Sequence, residues 1–275
     1  MRDSNDRQYT KEWLQYERQQ PMYDSSIDDF FAKVFQIAPL KTLEDDFKEA
    51  VTEWVKGHGI LGLDNFPIRD IIQGCTHYID DLYQRYGDLH IFKNDYKYHW
   101  RLNNDKVWTT IHTLTPDKPL LIACPFPYYG DIHPAMYSIL DECERKGIPV
   151  HVDGAWLGCT RIFEFDLNHP AIQSYGISLS KAGIGNNRIC IRFSKEEQTG
   201  PITLMNKFNM NQQPLVLVGY HFVNEFKPGH WWNKYGEQHK KVCKDFDLTP
   251  TEAIHLCTDK EGKPVGILKG INLCY

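Results

Sequence analysis

The sequence lacks the patterns that mark several broad classes of protein. Its eight cysteines occur singly, with no Cys-x-x-Cys pair and no zinc spacing against a histidine, so neither a disulfide scaffold nor a metal site is predicted. No apolar run is long enough to span a membrane, and residues 1–6 are polar where a signal peptide would be apolar. We therefore predict a cytoplasmic protein, in a reducing compartment, with no membrane partner.

Positive charge is also in short supply. The 275 residues carry a formal charge of −5, and the densest basic run, Lys240 and Lys241 with Lys244, has the spacing of a solvated helix face. Nucleic acid is therefore not a predicted partner. The sequence has no Walker-type glycine loop, nucleophile elbow, His-Glu-x-x-His motif or internal repeat, so it does not carry the chemistries that depend on them.

What the sequence does contain is an alternation of short apolar runs with amphipathic segments. Residues up to about 59 have helical spacing, clearest over 42–55, where Thr42 is placed to cap the helix and acids fill the first turn. Strands are predicted at 89–92, 107–111, 120–124, 150–153, 176–179 and 189–193, and helices at 134–146, 215–226 and 231–246. Residues 254–275 are predicted to form short strands or a hairpin. This pattern predicts an α/β protein with three layers, α/β/α, around a mostly parallel central sheet.

A carboxylate and an amine fall where such sheets bind ligands. Asp153 ends the strand at 150–153, and Lys181 follows the strand at 176–179. The carboxyl ends of parallel strands share one edge of a sheet, and the ligands of α/β proteins collect there. A carboxylate at the end of an apolar strand is costly without a partner, so we expect Asp153 and Lys181 to share one ligand site.

The residues around this pair resemble a known pattern. Ser178-x-Ser180-Lys181, with a glycine-rich turn and then an arginine after it, is similar to the cofactor-lysine segment of the fold-type I pyridoxal phosphate enzymes, most closely the class I/II aminotransferases. The resemblance covers about residues 66–226, and its markers follow in the family's order: Gly74-Cys75-Thr76, Tyr96, Gly130, Asp153, Lys181 and Arg188. It implies an N-terminal helical segment (1–59), a cofactor-binding large domain (60–226) and a reduced C-terminal domain (227–275).

The resemblance also implies pyridoxal 5′-phosphate as cofactor and a role for each marker. Lys181 would form the Schiff base and carry a proton at the substrate's alpha carbon, and Asp153 would pair with the pyridine nitrogen. Tyr96 would stack on the ring, with Tyr98 as the alternative. His99 would contact the side chain of Asp153, unless it belongs to an aromatic-rich surface loop.

The phosphate group would bind where a helix begins. Gly74-Cys75-Thr76 would present backbone N–H groups at a helix N-terminus, and serine hydroxyls with Arg188 would complete the cradle. The catalytic residues implied are Lys181 and Asp153. The implied cofactor-binding residues are Gly74, Cys75, Thr76, Tyr96, His99, Asp153, Trp156, Ser178, Ser180, Lys181 and Arg188.

Two positions depart from the aminotransferase pattern. Trp156 stands where those enzymes often carry a tyrosine for the cofactor's 3′ oxygen, and Pro127 stands in place of their asparagine. Tyr128 or Tyr129 is the suggested substitute. The segment 151–156, His-Val-Asp-Gly-Ala-Trp, looks more like the group II decarboxylases of the same fold.

The function that the resemblance implies is an aminotransferase that acts on an amino acid or related amine with a keto acid, as a homodimer. The missing partners of the 3′ oxygen leave a decarboxylase or lyase of the same fold as an alternative. Fewer than a hundred residues follow Lys181. A second alternative is therefore a compact relative of these enzymes that binds the cofactor or a protein partner without catalysis. No arginine is identified for the substrate carboxylate.

Overall fold

The computed structural model describes residues 21–37 and 43–271. Its helices are α1 (Ser25–Val34), α2 (Leu43–Gly57), α3 (Cys75–Tyr86), α4 (Lys97–Leu102), α5 (Met136–Lys146), α6 (Pro201–Lys207), α7 (Gln213–Glu225) and α8 (His230–Phe246). Its strands are β1 (Ile60–Leu61), β2 (Ile68–Ile72), β3 (Leu120–Ala123), β4 (Val150–Gly154), β5 (Phe165–Asp166), β6 (Ile172–Ile177), β7 (Cys190–Ser194), β8 (Thr249–Pro250), β9 (Leu256–Thr258) and β10 (Pro264–Gly266). The predicted cap Thr42 lies outside the described residues.

The central sheet has five strands in the order β2-β7-β6-β4-β3. Strands β3, β4 and β6 pair in parallel, whereas β7 is antiparallel to both of its neighbours, β6 and β2. Only β7 therefore runs against the other four strands. The predicted mostly parallel sheet is confirmed.

Helices cover both faces of this sheet. Leu121 of β3 packs into a cluster with Tyr78 of α3, whereas Ile122, its neighbour on the strand, packs into a larger cluster with Phe47 of α2. Successive side chains of a strand point to opposite faces, so the two clusters are two separate layers of core. The three-layer α/β/α prediction is confirmed.

Two predicted strands are wrong, and one strand of the central sheet was missed, as were the two-residue strands β1, β5 and β8. At 89–92 and 107–111 the chain forms only single bridges, His90 with Leu120 and Phe92 with Thr109, because residues 110–113 turn back through a capping box. The missed strand, β2, lies at the sheet edge and carries charged residues that break its apolar pattern. The side chain of Asn206 takes the place of a further strand there, with Ile71 N donating to Asn206 Oδ1 (2.7 Å) and Asn206 Nδ2 donating to Ile71 O (2.9 Å).

A buried ion-pair network joins β7 to β2 and α3. The side chain of Arg192 is fully buried, with Nη2 2.6 Å from Asp70 Oδ2 and Nη1 2.8 Å from Asp81 Oδ2. Nη2 also donates to Thr203 Oγ1 at 2.9 Å. Arg192 is therefore engaged inside the fold and is not placed to bind a substrate carboxylate.

We expect Arg192→Met to lower the free energy of unfolding by about 3–5 kcal/mol, because it removes the counter-charge of the buried Asp70 carboxylate and leaves Asp81 paired with Arg85 alone. Denaturant unfolding of the purified protein measures this change. The matched control is Arg145→Met, which breaks an exposed pair with Glu142 and is expected to change stability little. An equal effect of both substitutions would contradict the prediction.

The C-terminal elements form a small antiparallel sheet beside α8. Its order is β10-β9-β8, and β9 and β10 pair as a hairpin, as predicted for this region. The division of the chain at residues 59 and 226 stays a prediction. Among the described residues, no helix combines the length and apolarity that a membrane crossing requires.

Candidate functional site

The site lies at one edge of the central sheet. Ile72, the last residue of β2, pairs with Cys190, the first of β7, and Asp153 of β4 pairs with Gly176 near the end of β6. Because β7 runs opposite to the others, its start meets the ends of β2, β4 and β6 at this edge. The register therefore gathers residues that are far apart in the sequence.

Gly74, Thr76, Ser178 and Arg188 form a cluster at the N-terminus of α3, which we call the helix cradle. Gly74 has a φ of +74°, and a Cβ built there would lie 2.9 Å from Arg188 Nη2 and 3.1 Å from Ser178 Oγ. Arg188 Nη2 donates to Thr76 Oγ1, and Arg188 Nε donates to Gln73 O at 3.2 Å. A guanidinium, two hydroxyls and a helix N-terminus in one place suit an anion such as a phosphate group.

The side chain of Cys75 does not join the helix cradle. Its thiol is buried and donates to Gly176 O at 3.4 Å, under the sheet edge. Burial, together with the nearby charge of Asp153, holds the pKa of Cys75 well above its usual range, so the thiol stays neutral. The group that Cys75 can offer an anion is its backbone N–H.

Asp153 ends a buried relay of three side chains that has His99 at its centre. Its Oδ2 lies 2.9 Å from His99 Nε2, and His99 Nδ1 lies 3.3 Å from Asp95 Oδ1. The backbone N–H of Ala155 donates to Asp153 Oδ1 at 2.9 Å. Because His99 is fully buried, the surface-loop alternative for this residue is wrong.

Asp95 was missed by the sequence analysis. Its carboxylate accepts from Tyr96 N (2.6 Å) and from Ala123 N (3.1 Å), which fixes it at the end of β3. Burial alone would lower the pKa of His99, but the charges and hydrogen bonds of Asp95 and Asp153 outweigh it and raise that pKa to about 9. At neutral pH, His99 is therefore a cation between two carboxylates. The spacing Asp95-x-x-x-His99 was the available signal.

We expect Asp95→Asn to lower the pKa of His99 from about 9 to below its ordinary value of 6.5, because burial then outweighs the single remaining carboxylate. A pH titration of histidine resonances by NMR, in protein without any ligand, measures this shift. The raised pKa adds stability that is complete below pH 6.5 and is lost as the pH rises through about 9. Asp95→Asn should therefore destabilise the protein at pH 6 and much less above pH 9. An unchanged pKa would contradict the prediction.

Tyr96 lies on the solvent side of this relay. It precedes α4, 44% of its surface is exposed, and its ring stands perpendicular to that of His99 with 5.5 Å between centroids. Tyr98, the alternative stacking residue, donates its hydroxyl to Asp80 at 2.7 Å. The ring of Tyr96 thus packs against His99, whereas the hydroxyl of Tyr98 is engaged with Asp80.

Lys181 sits in a tightly held turn after β6, residues Ser180–Ile184. Its backbone carbonyl accepts from Met22 N at 3.0 Å, and the next carbonyl, of Ala182, accepts from Trp231 Nε1 at 2.7 Å. Ser180, predicted to bind phosphate, has a buried hydroxyl for which the described residues provide no hydrogen-bond partner. Contacts from α8 and from the N-terminal segment thus fix the backbone that carries the amine.

His255 is a second residue that the sequence analysis missed. Its ring is buried perpendicular to that of Trp156, 4.4 Å between centroids, and neither ring nitrogen has a hydrogen-bond partner within the described part of the chain. Burial, and then the charge of Lys181, hold the pKa of His255 well below its usual range. His255 and Trp156 therefore lie within electrostatic reach of Lys181. The apolar context Ile254-His255-Leu256 carried no signal of this.

Tyr128 and Tyr129, the suggested partners of the cofactor's 3′ oxygen, belong to a group of aromatic side chains. Tyr128 and Tyr129 pack against each other, and Tyr129 also packs against Phe126 and His133. Their substitution for the missing asparagine stays a prediction.

The fold has close counterparts among solved structures. No protein-family model matches the sequence, and no curated protein matches it. The pyridoxal phosphate-bound C–S lyase of Staphylococcus hominis aligns with a TM-score of 0.61 at 12% identity, over 86% of this chain and 72% of that one. The alanine aminotransferase of Pyrococcus furiosus aligns at 0.60 and 11%, over 86% and 72%. The aromatic aminotransferase of Pyrococcus horikoshii OT3 aligns at 0.60 and 14%, over 89% and 78%.

The chain has the fold-type I fold of pyridoxal phosphate enzymes. At these identities the likeness establishes the fold, which is the fold that the resemblance in sequence implied. Aminotransferases and C–S lyases share it.

Proposed function

We propose that the chain is a cytoplasmic, pyridoxal phosphate-dependent aminotransferase that acts on an amino acid or related amine and a keto acid. The observation that carries this proposal is that an anion-binding cluster and a buried carboxylate lie at the same edge of the central sheet. The helix cradle suits an anion, and the relay of Asp95, His99 and Asp153 ends in a buried carboxylate that faces the imidazolium of His99.

The residues present fit the cofactor. The helix cradle has room only because position 74 lacks a Cβ, and it offers the donors that a phosphate monoester needs. When bound, pyridoxal phosphate supplies an aldehyde for an amine and a ring that accepts the electrons released at the substrate's alpha carbon. Residues 60–226 would hold it, with Trp156 and Tyr96 against the ring.

Each residue of the site then has a distinct task. Asp153 would pair with the protonated pyridine nitrogen, and His99, backed by Asp95, would hold the carboxylate in place from its other side. Lys181 would hold the cofactor through its amine, and once the substrate's amine has taken its place there, the freed lysine amine would remove and return the proton at the alpha carbon. Arg188, Thr76 and Ser178 fix the phosphate, and a second copy of the chain would complete the site.

Whether turnover requires a keto acid as amino acceptor tests which reaction the chain catalyses. The purified chain, loaded with pyridoxal phosphate, should become yellow and should convert amino acids only when a keto acid is present, because a transaminase needs the acceptor for turnover. Conversion of a cysteine-type thioether without any keto acid would instead favour a lyase, a reaction named for one of the similar structures. A protein that stays colourless would contradict both and favour the non-catalytic alternative.

We expect Gly74→Ala to weaken pyridoxal phosphate binding by roughly 10–100-fold, since the new methyl group displaces Arg188 and Ser178 and removes about one to two charge-assisted hydrogen bonds. A fluorescence titration with the cofactor measures the affinity. Gly87→Ala is the matched control. Gly87 ends the same helix with a φ of +78°, and a Cβ there would meet nothing within 4 Å, so the variant has similar backbone strain but should bind normally. Equal weakening in both variants would count against the helix cradle.

A further inference from the structure

Three metal-binding side chains meet in the C-terminal part of the chain. His239 and Cys243 lie one helical turn apart on α8, Cys257 lies on β9, and all three are buried. Their donor atoms lie within 4.8 Å of one another. The two sulfur atoms are 2.9 Å apart, and Cys243 Sγ is 3.8 Å from His239 Nδ1.

The imidazole of His239 is oriented as a metal ligand is. Its Nε2 lies 3.2 Å from the carbonyl oxygen of Leu256 and 3.4 Å from Cys257 Sγ. When Nε2 donates its N–H to that carbonyl, the lone pair of Nδ1 lies on the side of Cys243. Metal-binding histidines commonly donate their second nitrogen to a backbone carbonyl in this way. On a tetrahedral zinc ion, a ligating sulfur and nitrogen lie about 3.5 Å apart, close to the separation of Cys243 and Nδ1 here.

The short distance between the sulfur atoms of Cys243 and Cys257 indicates that one group links them. Two thiols at this separation are in closer contact than unlinked sulfur atoms keep, and both are buried beside an imidazole. A disulfide would join the sulfurs but would leave Nδ1 of His239 with a lone pair and no donor. A metal ion uses all three groups, and it requires the sulfurs to move apart to about 3.7 Å, within reach of a side-chain rotation.

We propose that His239, Cys243 and Cys257 bind one zinc ion, with its fourth position open to water or another small ligand. Two thiolates and an imidazole select zinc over magnesium or calcium. The ion would tie α8 to β9 and so hold His255, two residues before Cys257, against Trp156. Spacing in the sequence did not predict this site, because Cys257 reaches it from a different element.

Cobalt titration of the reduced, chelator-stripped full chain tests the proposal and needs no pyridoxal phosphate. We expect one cobalt ion per chain, a near-ultraviolet thiolate-to-cobalt absorption band, and displacement of that band by zinc. Zinc should also raise the melting temperature. His239→Ala and Cys257→Ser should lose the band. Cys143→Ser, which removes a buried thiol on α5, should keep it.

Three outcomes would overturn the proposal. Wild-type protein that takes up cobalt without the thiolate band, and loses that uptake in His169→Ala, binds it at the exposed group of Asp141, Glu144 and His169 instead. Reduced protein that takes up no cobalt carries no such site. Protein that loses two hydrogens in its intact mass on mild oxidation, and binds no cobalt when reduced, has a thiol–disulfide pair. Since the wild-type titration alone decides, variants that fail to fold do not block the test.

Discussion

Lys181→Ala is expected to lower the turnover of any amino donor by at least about 10²–10⁴-fold, the range that a positioned general base supplies. The turn that carries Lys181 is held through backbone contacts to Met22 and Trp231, so removing the amine should leave the fold intact. Turnover per folded molecule, with folding checked by circular dichroism, is the measurement.

The control for Lys181→Ala is chemical rescue. A small primary amine added to the variant should restore part of the lost turnover, because it can enter the space left by the side chain and carry the same proton. Rescue should rise with the concentration of unprotonated amine, and therefore with pH. Full turnover of Lys181→Ala without added amine would contradict the assignment of this residue as the base.

The part of the site that could be predicted from the sequence is the part carried by short segments. Lys181 lies among serines and glycines, and Gly74 precedes a clear amphipathic helix, so both were recognisable locally. Asp153 was predictable because a carboxylate at the end of an apolar strand is costly without a partner. The local alternation of short apolar runs with amphipathic segments likewise predicted the three layers and most strands of the central sheet.

The residues that were missed depend on contacts between distant segments. Asp95 becomes part of the site because β3 ends beside it and because His99 turns back over it. His255 follows Lys181 by 74 residues in the sequence, yet its ring packs on Trp156 and lies close enough for the charge of Lys181 to lower its pKa. The strand β2 was missed because an amide side chain, that of Asn206, satisfies its outer edge. Apart from the spacing of Asp95 and His99, these pairings leave no periodic trace in the sequence.

Asp153→Asn is the second substitution with a large expected effect, a loss of turnover of roughly 10²–10³-fold, as for removal of one preorganised electrostatic partner. The amide keeps the size of the side chain and can still contact His99, but it has no charge with which to hold a proton on the pyridine nitrogen. Pyridoxal phosphate should still bind, because the helix cradle does not include Asp153. The expected pattern is thus a large fall in kcat with a small change in cofactor affinity.

The double variant Asp153→Asn with His99→Gln distinguishes this role from a general weakening of the site. Asp153 is the predicted catalytic residue whose side chain His99 contacts, so once the carboxylate is gone the loss of His99 should add little. His99→Gln alone should lower turnover less than Asp153→Asn does, and the double variant should match Asp153→Asn. Two losses that simply multiply would mean that His99 acts on the reaction by a route separate from Asp153. The relay from Asp95 through His99 would then not be what positions the Asp153 carboxylate.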